Sequence, residues 1–418
     1  MSSASLPGSI IYVLLDYPID SERFVEREVH ALRQLGVEVR ILTLREKNAA
    51  TTPARPPGVH VLRRPAWWHR HLWLAAFRLS MQRPAAALRL VRAAWAAGRR
   101  AGSWGGLGAV RWVLLALYFG SQLRGYRPAL IHSHFASTSA TLGLLLASWL
   151  ELPWGFSCHA SDIYAETVHL ALKARRADHI IACSEVLADD VGSRLPSQLH
   201  SRIHTVHHGL DLEIWRGGED RRGSEALPLI LAAGRFEPKK GFDTLIEACA
   251  LLRDESFRFR CELIGAGREA SQLAQRIAAH GLQPLLRLVP WRSPAELRET
   301  YAHAALLAVP SVVAAGGDRD NIPNVLVEAL ACGLPVVASA LPAIERLLST
   351  AHAGRLVPPG DPPALAKAIR DVVSDNELTR RLRDNGRRLV EERFEQVANA
   401  KRLVAIFAQS ASRTSSGT

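Results

Sequence analysis

Short apolar runs alternate with segments of helical period along this chain, in two series separated by a polar, glycine-rich stretch. Residues 10–15 are continuously apolar, and residues 22–35 then place Phe24, Val25, Val29 and Leu32 on one helical face. Gly36 stops that helix and residues 37–44 return as a strand, which makes a β-α-β unit. Further strands are expected at 129–132, 154–158, 179–183 and 203–206, after an interruption by the helices of about 65–127. Residues 212–227 read as a linker. The second series supplies strands at 229–233, 260–264, 286–289, 305–309 and 335–338, with helices between them. Runs apolar on both faces belong to parallel sheets covered by helices on both sides. The expectation is an α/β chain of two doubly wound, Rossmann-like domains, 1–212 and 226–390, followed by a last helix from 391 to 409 and a structureless tail from 410 to 418.

Charge and composition narrow the surroundings. Five cysteines form no C-x-x-C pair, which argues against a disulfide framework or a zinc module and for a reducing compartment. Residues 10–15 look like a strand rather than the core of a targeting segment, and no run of about eighteen apolar residues suggests a spanning helix. The formal charge of +12 is uneven: twelve arginines fall between Arg63 and Arg127, without one lysine or acidic residue. Trp67, Trp68, Trp73, Trp95, Trp104 and Trp112 share that stretch, six of the ten tryptophans. After Pro84, Arg89, Arg92, Arg99 and Arg100 form one helical stripe beside Leu88, Val91 and Trp95. Arginine with tryptophan and no acid suits an anionic lipid surface. An ordinary solvated helix pair rich in arginine is the plain alternative, and nucleic acid is not expected, because no nucleic-acid-binding signature accompanies the charge.

Two stretches of the second series carry chemistry. Residues 320–339 read as a loop, an apolar helix and a strand, with Pro323 in the first turn and Gly333 and Pro335 as the stop. Into that helix the sequence puts one carboxylate, Glu328, eight residues after Asp320. Free amides at a helix start attract phosphate, and a carboxylate one turn further can accept from a ribose diol; pairing with a surface arginine is the plainer reading. Residues 234–241 place Arg235, Lys239 and Lys240 in a turn between strand and helix, where a guanidinium and an ammonium can bracket a diphosphate. This is not a Walker loop, and Gly265-Ala266-Gly267 does not extend to G-x-G-x-x-G. In the first series three strands end in histidine, at His134, His159 and His207/His208. Without metal-type spacing these are expected to hydrogen-bond at a ligand edge, and no metal is expected.

Residues 234–248 and 320–338 together resemble the family 4 retaining glycosyltransferases of the GT-B fold. Residues 21–28, His132-Ser-His-Phe-Ala136 and His159-Ala-Ser-Asp162 resemble the branch that builds exopolysaccharides, colanic-acid-like polymers included. The resemblance implies two Rossmann-like domains facing a cleft, with a final helix crossing back. It implies a UDP- or GDP-type nucleotide-sugar as substrate rather than a cofactor, and a glycan acceptor, lipid-linked and met at the cytoplasmic face of the inner membrane. On the donor side Arg235 and Lys240 would bind the diphosphate and Glu328 the ribose. Asp320 would touch the sugar, and Gly265 and Ile322-Pro323-Asn324-Val325 would lie beside the donor. Arg268 and Trp291 are placed near its base. His159 would approach the reacting sugar, and Ser21, Glu22 and His134 would lie on the acceptor side.

Two departures from the family pattern bear on specificity. Asp320 is a methylene shorter than the usual glutamate, and Asp20-Ser21-Glu22 stands where many relatives carry a glycine pair. Asp318-Arg319-Asp320 also spells D-x-D, a metal-diphosphate signature of another fold, but here it lies within the acidic box. Asp162 is the one carboxylate near His159 that could be considered as a nucleophile for double displacement. A nucleotide-sugar epimerase or phosphorylase on the same fold, or a membrane-docked module without catalysis, are the competing functions.

Overall fold

The computed structural model describes residues 8–19, 22–45, 59–66, 68–99, 106–165, 169–216 and 227–415. Ser21, Trp67, Trp104 and Arg100 lie outside them, as does most of the expected linker. The chain divides into two compact units, Met1–Gly209 with Gln396–Thr418, and Leu210–Glu395. The first unit is thus closed by chain that follows the second.

In the first unit seven parallel strands stand in the order β3-β2-β1-β4-β5-β6-β7. They are β1 (Ser9–Leu14), β2 (Val39–Thr43), β3 (His60–Arg63), β4 (Pro128–His134), β5 (Trp154–Cys158), β6 (His179–Ala182) and β7 (Ile203–Thr205). Period-two alternation in β1 sends Ile11 and Val13 into one core and Ile10, Tyr12 and Leu14 into another. Strand β3 is not legible in sequence: only Val61 and Leu62 are apolar, and it pairs at the sheet edge with β2.

Helices α2 (Arg70–Gln82), α3 (Pro84–Arg99) and α4 (Gly106–Gln122) occupy the stretch expected to interrupt the alternation. They form the crossover from β3 to β4 and bury Leu72, Leu79, Leu90, Leu115 and Phe119 in the core, packed with α5 (Thr138–Leu150). Trp112 is buried there too, so it does not belong to the exposed tryptophan set that the arginine-rich stretch suggested. What α2 and α3 leave outside is also apolar: Trp73, Leu74, Phe77, Met81, Leu88 and Val91 are exposed, with Trp68 exposed just before α2.

The opposite face of the first sheet is covered by α1 (Arg23–Gln34) and the last helix, α15 (Gln396–Ser415). Here the expected tail is overturned. Ala400, Leu403, Phe407 and Ser410 fall on one buried face, so the helix runs on to Ser415, and the Ser410 hydroxyl lies 2.9 Å from His179 Nδ1. Helix 391–409 is likewise two pieces: α14 (Asn376–Arg393) ends at Phe394, and α15 begins at Gln396. The shorter α6 (Leu170–Arg176) and α7 (Glu185–Ser193) complete the unit.

The second unit has six parallel strands in the order β10-β9-β8-β11-β12-β13. They are β8 (Leu229–Ala233), β9 (Arg260–Ile264), β10 (Leu286–Val289), β11 (Leu306–Val309), β12 (Val336–Ser339) and β13 (Arg355–Val357). Strand β13, three residues long and started by an exposed arginine, was also missed from sequence. The helices that follow these strands in turn are α8 (Phe242–Asp254), α9 (Ala270–Ala279), α10 (Pro294–His303), α11 (Asn324–Ala331), α12 (Pro342–Ala351) and α13 (Pro362–Ser374). Their starts follow side-chain chemistry: Ser293 and Glu296 form a reciprocal cap on α10, and Asp361 accepts from the Ala364 amide on α13.

Candidate active site

In the second unit, β8 and β11 are neighbours from which the chain moves off to opposite sides. The loops at their carboxyl ends flank the switch point, where open α/β sheets bind ligands. The loop after β8 is fixed by backbone: Gly234 donates to Ile264 O at 3.0 Å, and Phe236 donates to Ala266 O at 2.8 Å. Gly265 is needed there because a Cβ would lie 2.0 Å from the Gly234 carbonyl, a packing cause that calls for no ligand. A short turn, Pro238–Lys240, ends at Gly241, whose φ of +60° and 2.0 Å Cβ approach to Pro310 O exclude a side chain.

That turn delivers two lysines to the loop after β11. Lys240 Nζ meets Asp320 Oδ1 and Oδ2 at 3.0 and 2.8 Å, and Lys239 Nζ meets Asp318 Oδ1 at 3.0 Å. The Ser311 hydroxyl donates to Asp320 Oδ2 at 2.7 Å. Burial alone would raise the Asp320 carboxyl, but the charge and hydrogen bonds of Lys240, then Ser311 and Lys239, outweigh it and hold the group below its ordinary range. Both carboxylates of the D-x-D sequence are therefore paired with ammonium groups. Ser311 was invisible in sequence; its only signal is its place just after an apolar strand that ends at the same edge.

The other residues expected on the donor side lie in the loops after β8, β9, β10 and β11 and on α11. Arg235, half exposed, pairs with Glu237 at 2.9 Å on its own loop. Pro323 is the residue before α11 rather than its first turn, with φ −64° and ψ 136°, and its carbonyl accepts from Leu326 at 3.1 Å. Asn324 and Val325 are thereby the first two helical residues, whose amides have no partner within the helix. Ile322 is partly buried against the core. Glu328 is buried on α11, and Tyr301 is pushed well above its ordinary value by burial first and by the charge of Glu328 second. Trp291 is exposed after β10, and Arg268 is exposed after β9.

In the first unit the switch point lies between β1 and β4. His134 closes β4 and His159 follows β5, with His134 Nδ1 and His159 Nε2 3.4 Å apart. His134 Nε2 reaches Glu28 Oε1 on α1 at 3.1 Å, and the Tyr12 hydroxyl donates to that same oxygen. Phe135 takes the left-handed conformation, φ +71°, which a bulky residue rarely adopts, and its ring lies 4.3 Å from that of His159. Two buried charges hold this loop. Asp162 accepts from the Ala136 and His159 amides at 2.8 and 3.1 Å, and Lys173 donates to the Ala136 and Ser137 carbonyls at 2.6 Å each. Burial lowers Lys173 to about 8, against the opposing charge of Asp162. Asp162 is thus a backbone clamp, and sequence gave no sign of Lys173. Glu22, the residue preceding α1, is partly buried.

The fold also gathers what spacing kept apart. His159, Cys183 and His208, at the ends of the adjacent strands β5, β6 and β7, bring potential ligand atoms within 4.8 Å of one another. Such a set could take a soft divalent cation. The two histidines are held well below 6.5 by burial and then by neighbouring imidazoles, so both offer neutral rings.

Residues 219–389 match the family described as glycosyl transferases group 1, and residues 91–214 match glycosyltransferase family 4. The putative colanic acid biosynthesis glycosyltransferase WcaL of Escherichia coli is 25% identical over 372 residues, covering 86% of this chain and 89% of the relative. The amylovoran biosynthesis glycosyltransferase AmsK of Erwinia amylovora is 37% identical over 140 residues, 34% of each chain. Among solved structures, Anabaena HepE in complex with UDP and glucose superposes with a TM-score of 0.68 at 18% identity, covering 95% of this chain and 98% of that one. Sucrose-phosphate synthase from Thermosynechococcus elongatus gives 0.69 at 20% identity, covering 96% and 98%. The two sheets and these matches support a family 4 glycosyltransferase of the GT-B fold, similar to relatives named for exopolysaccharide synthesis.

Proposed function

We propose that the protein moves a sugar from a nucleotide-diphosphate donor to a glycan acceptor, with retention at the anomeric carbon and without a metal. The observation that carries this reading is the Lys240–Asp320 pair, which spans the two loops of the second unit's switch point. A donor diphosphate in that place would draw on Lys240 and Arg235 as charge builds on the leaving group, and Asp320 would receive a sugar hydroxyl. Glu328 is offered as the ribose acceptor, and the amides opening α11 as partners for phosphate. Lysine charge at both acids of the D-x-D sequence supports a reaction in which side chains do the neutralising. Asp162, engaged by two backbone amides, is a poor nucleophile, which favours attack by the acceptor on the face the diphosphate leaves.

The acceptor belongs to the first unit, near His134, Glu22 and Ser21, and is lipid-linked. The exposed apolar residues of α2 and α3, set among Arg70, Arg78, Arg89 and Arg92, support peripheral binding to an anionic membrane, at its cytoplasmic face. No helix of the described residues is long and apolar enough to cross a membrane.

UDP-, GDP- and ADP-sugars are to be compared by thermal shift, since a ligand at a hundred times its Kd adds about 2.7 kcal/mol. The UDP-sugar is expected to give the largest shift, as HepE is a UDP complex. Turnover is expected to survive EDTA and to fall about a hundredfold or more in Lys240→Ala. Nucleotide diphosphate released only when acceptor is added separates transfer from epimerisation, and near-wild-type turnover in Lys240→Ala would defeat the reading.

A further inference from the structure

Three adjacent parallel strands of the first unit end level with one another: Cys158 of β5 pairs with Ala182 of β6, and Ala182 pairs with Thr205 of β7. Neighbouring strands lie about 4.8 Å apart, so residues that follow in step come out side by side. His159 and Cys183 are those residues, and the chain leaving β7 returns to them with His208. Each offers a ligand atom, and the three atoms lie within 4.8 Å of one another. His159 and Cys183 are buried while His208 is partly exposed, so the cluster opens toward solvent past His208. Contacts from outside hold the backbone. Asp162 accepts from the His159 amide at 3.1 Å, and His207 Nδ1 donates to the Cys183 carbonyl at 3.0 Å. Rings hold the side chains: Phe135 is 4.3 Å from His159, and Phe24 is 5.0 Å from His159 and 4.0 Å from His208. The nitrogens are not used up by these contacts. Among the described residues, His159 Nδ1 and both ring nitrogens of His208 make no hydrogen bond.

We propose that His159, Cys183 and His208 form a site for a borderline-soft divalent cation of the zinc class, with the fourth position open on the His208 side. Two imidazoles and a thiolate suit zinc and cobalt(II) and do not suit magnesium, which takes oxygen ligands. Zinc holds nitrogen at about 2.0 Å and sulfur at about 2.3 Å, so ligand atoms of one tetrahedral ion stand about 3.3–3.8 Å apart. From 4.8 Å or less, the side chains therefore close by no more than about 1.5 Å. The Cys183 thiol passes its proton to solvent as the sulfur binds. Outer partners are also in place. His134 Nδ1 is 3.4 Å from His159 Nε2, which leaves Nδ1 of His159 for the ion, and Glu28 Oε1 is 3.1 Å from His134 Nε2. A ligating histidine backed by such a chain is held in orientation. All of these residues belong to the first unit, so the site is independent of the donor diphosphate and stands whether or not the chain transfers sugar.

The experiment is a cobalt(II) titration of the full chain, tag-free, reduced and stripped of metal, read by absorption and followed by competition with zinc and with magnesium. Expected are a thiolate-to-cobalt charge-transfer band in the near ultraviolet, saturation at one ion per chain, and loss of the band on adding zinc but not magnesium. Cys183→Ser is expected to abolish the band, and Cys332→Ser, at the partly exposed cysteine of the second unit, to keep it. His159→Ala and His208→Ala should each weaken cobalt binding by more than about tenfold, a loss that even an outer partner can cause. A wild-type chain without the charge-transfer band overturns the site, so a Cys183→Ser that fails to fold does not rescue it. A band that survives in Cys183→Ser or vanishes in Cys332→Ser overturns it too, as does cobalt affinity unmoved in either histidine variant.

Discussion

Lys240 and Asp320 stand eighty positions apart and meet with side chains 15% and 9% exposed. Removing one member of a buried pair leaves the other charge without compensation, at a cost of about 3 kcal/mol or more. Asp320→Ala is therefore expected to lower the unfolding free energy by roughly that amount. The double variant Asp320→Ala/Lys240→Met should recover most of it in a denaturant cycle; additive losses would mean that the pair is not coupled. At this scale the sequence disclosed residue types better than partners. Arg235, Lys239, Lys240, Asp320 and Glu328 stood out because charge flanked apolar strands and helices. That Lys240 pairs with Asp320, and Arg235 with Glu237, depends on which strands become neighbours, and no local spacing encodes it. Glu28, Ser311 and Lys173 were missed for the same reason, since each works through a residue far away in the chain.

Helices were legible where one face is apolar, and they misled where two faces are. Leu72, Ala76 and Leu79 bury one side of α2 while Trp73, Phe77 and Met81 remain exposed on the other, so periodicity cannot say which side is the core. Replacing Trp73, Phe77 and Met81 by serine is expected to abolish flotation with anionic liposomes and leave the melting temperature within a few degrees. Flotation that persists, or that ignores lipid charge and salt, would refute a lipid role for this face. Helix α15 was cut short in sequence because its small polar residues resemble a tail, although Ser410 continues the spacing of Leu403 and Phe407. Phe407 is fully buried, with its ring 5.1 Å from those of His132 and His179. Phe407→Ala is expected to cost about 3–5 kcal/mol, read by urea unfolding.

Across the molecule, buried titratable groups set how stability depends on pH. His179 is lowered from 6.5 to about 3 by burial first and by His204 second, and His132, His159 and His208 are lowered too. Depressed histidines bind fewer protons folded than unfolded. Their contribution is complete above pH 6.5 and is lost as the pH falls from there toward 3. Asp320, also depressed, begins to lose its contribution only below its ordinary 3.8. Urea midpoints are thus expected to fall steadily from pH 6.5 to about 5, before carboxylates of ordinary affinity take up most of their protons. A flat profile across that interval would contradict the buried neutral histidines. On the alkaline side Lys173, lowered from 10.5 to about 8, acts in the same sense: stability should rise with pH between those values as the folded state sheds a proton that the unfolded chain keeps. The two-sheet plan was legible from the alternation alone, because parallel strands buried on both faces leave continuous apolar runs; the short edge strands β3 and β13 leave none.

The order in which the units close has a consequence during synthesis. Residues 210–395 form an uninterrupted unit and can fold on the ribosome as soon as they emerge. The unit begun first cannot do so, because one face of its sheet waits for Ala400, Leu403 and Phe407. Until those residues are made, Ile10, Tyr12, Val29 and Leu130 lack their cover, and the nascent chain carries a half-covered sheet through most of its translation. Rare codons or a stalled ribosome shortly before position 396 would lengthen that exposure and invite chaperones or aggregation, whereas a pause inside the second unit's coding region would harm it less.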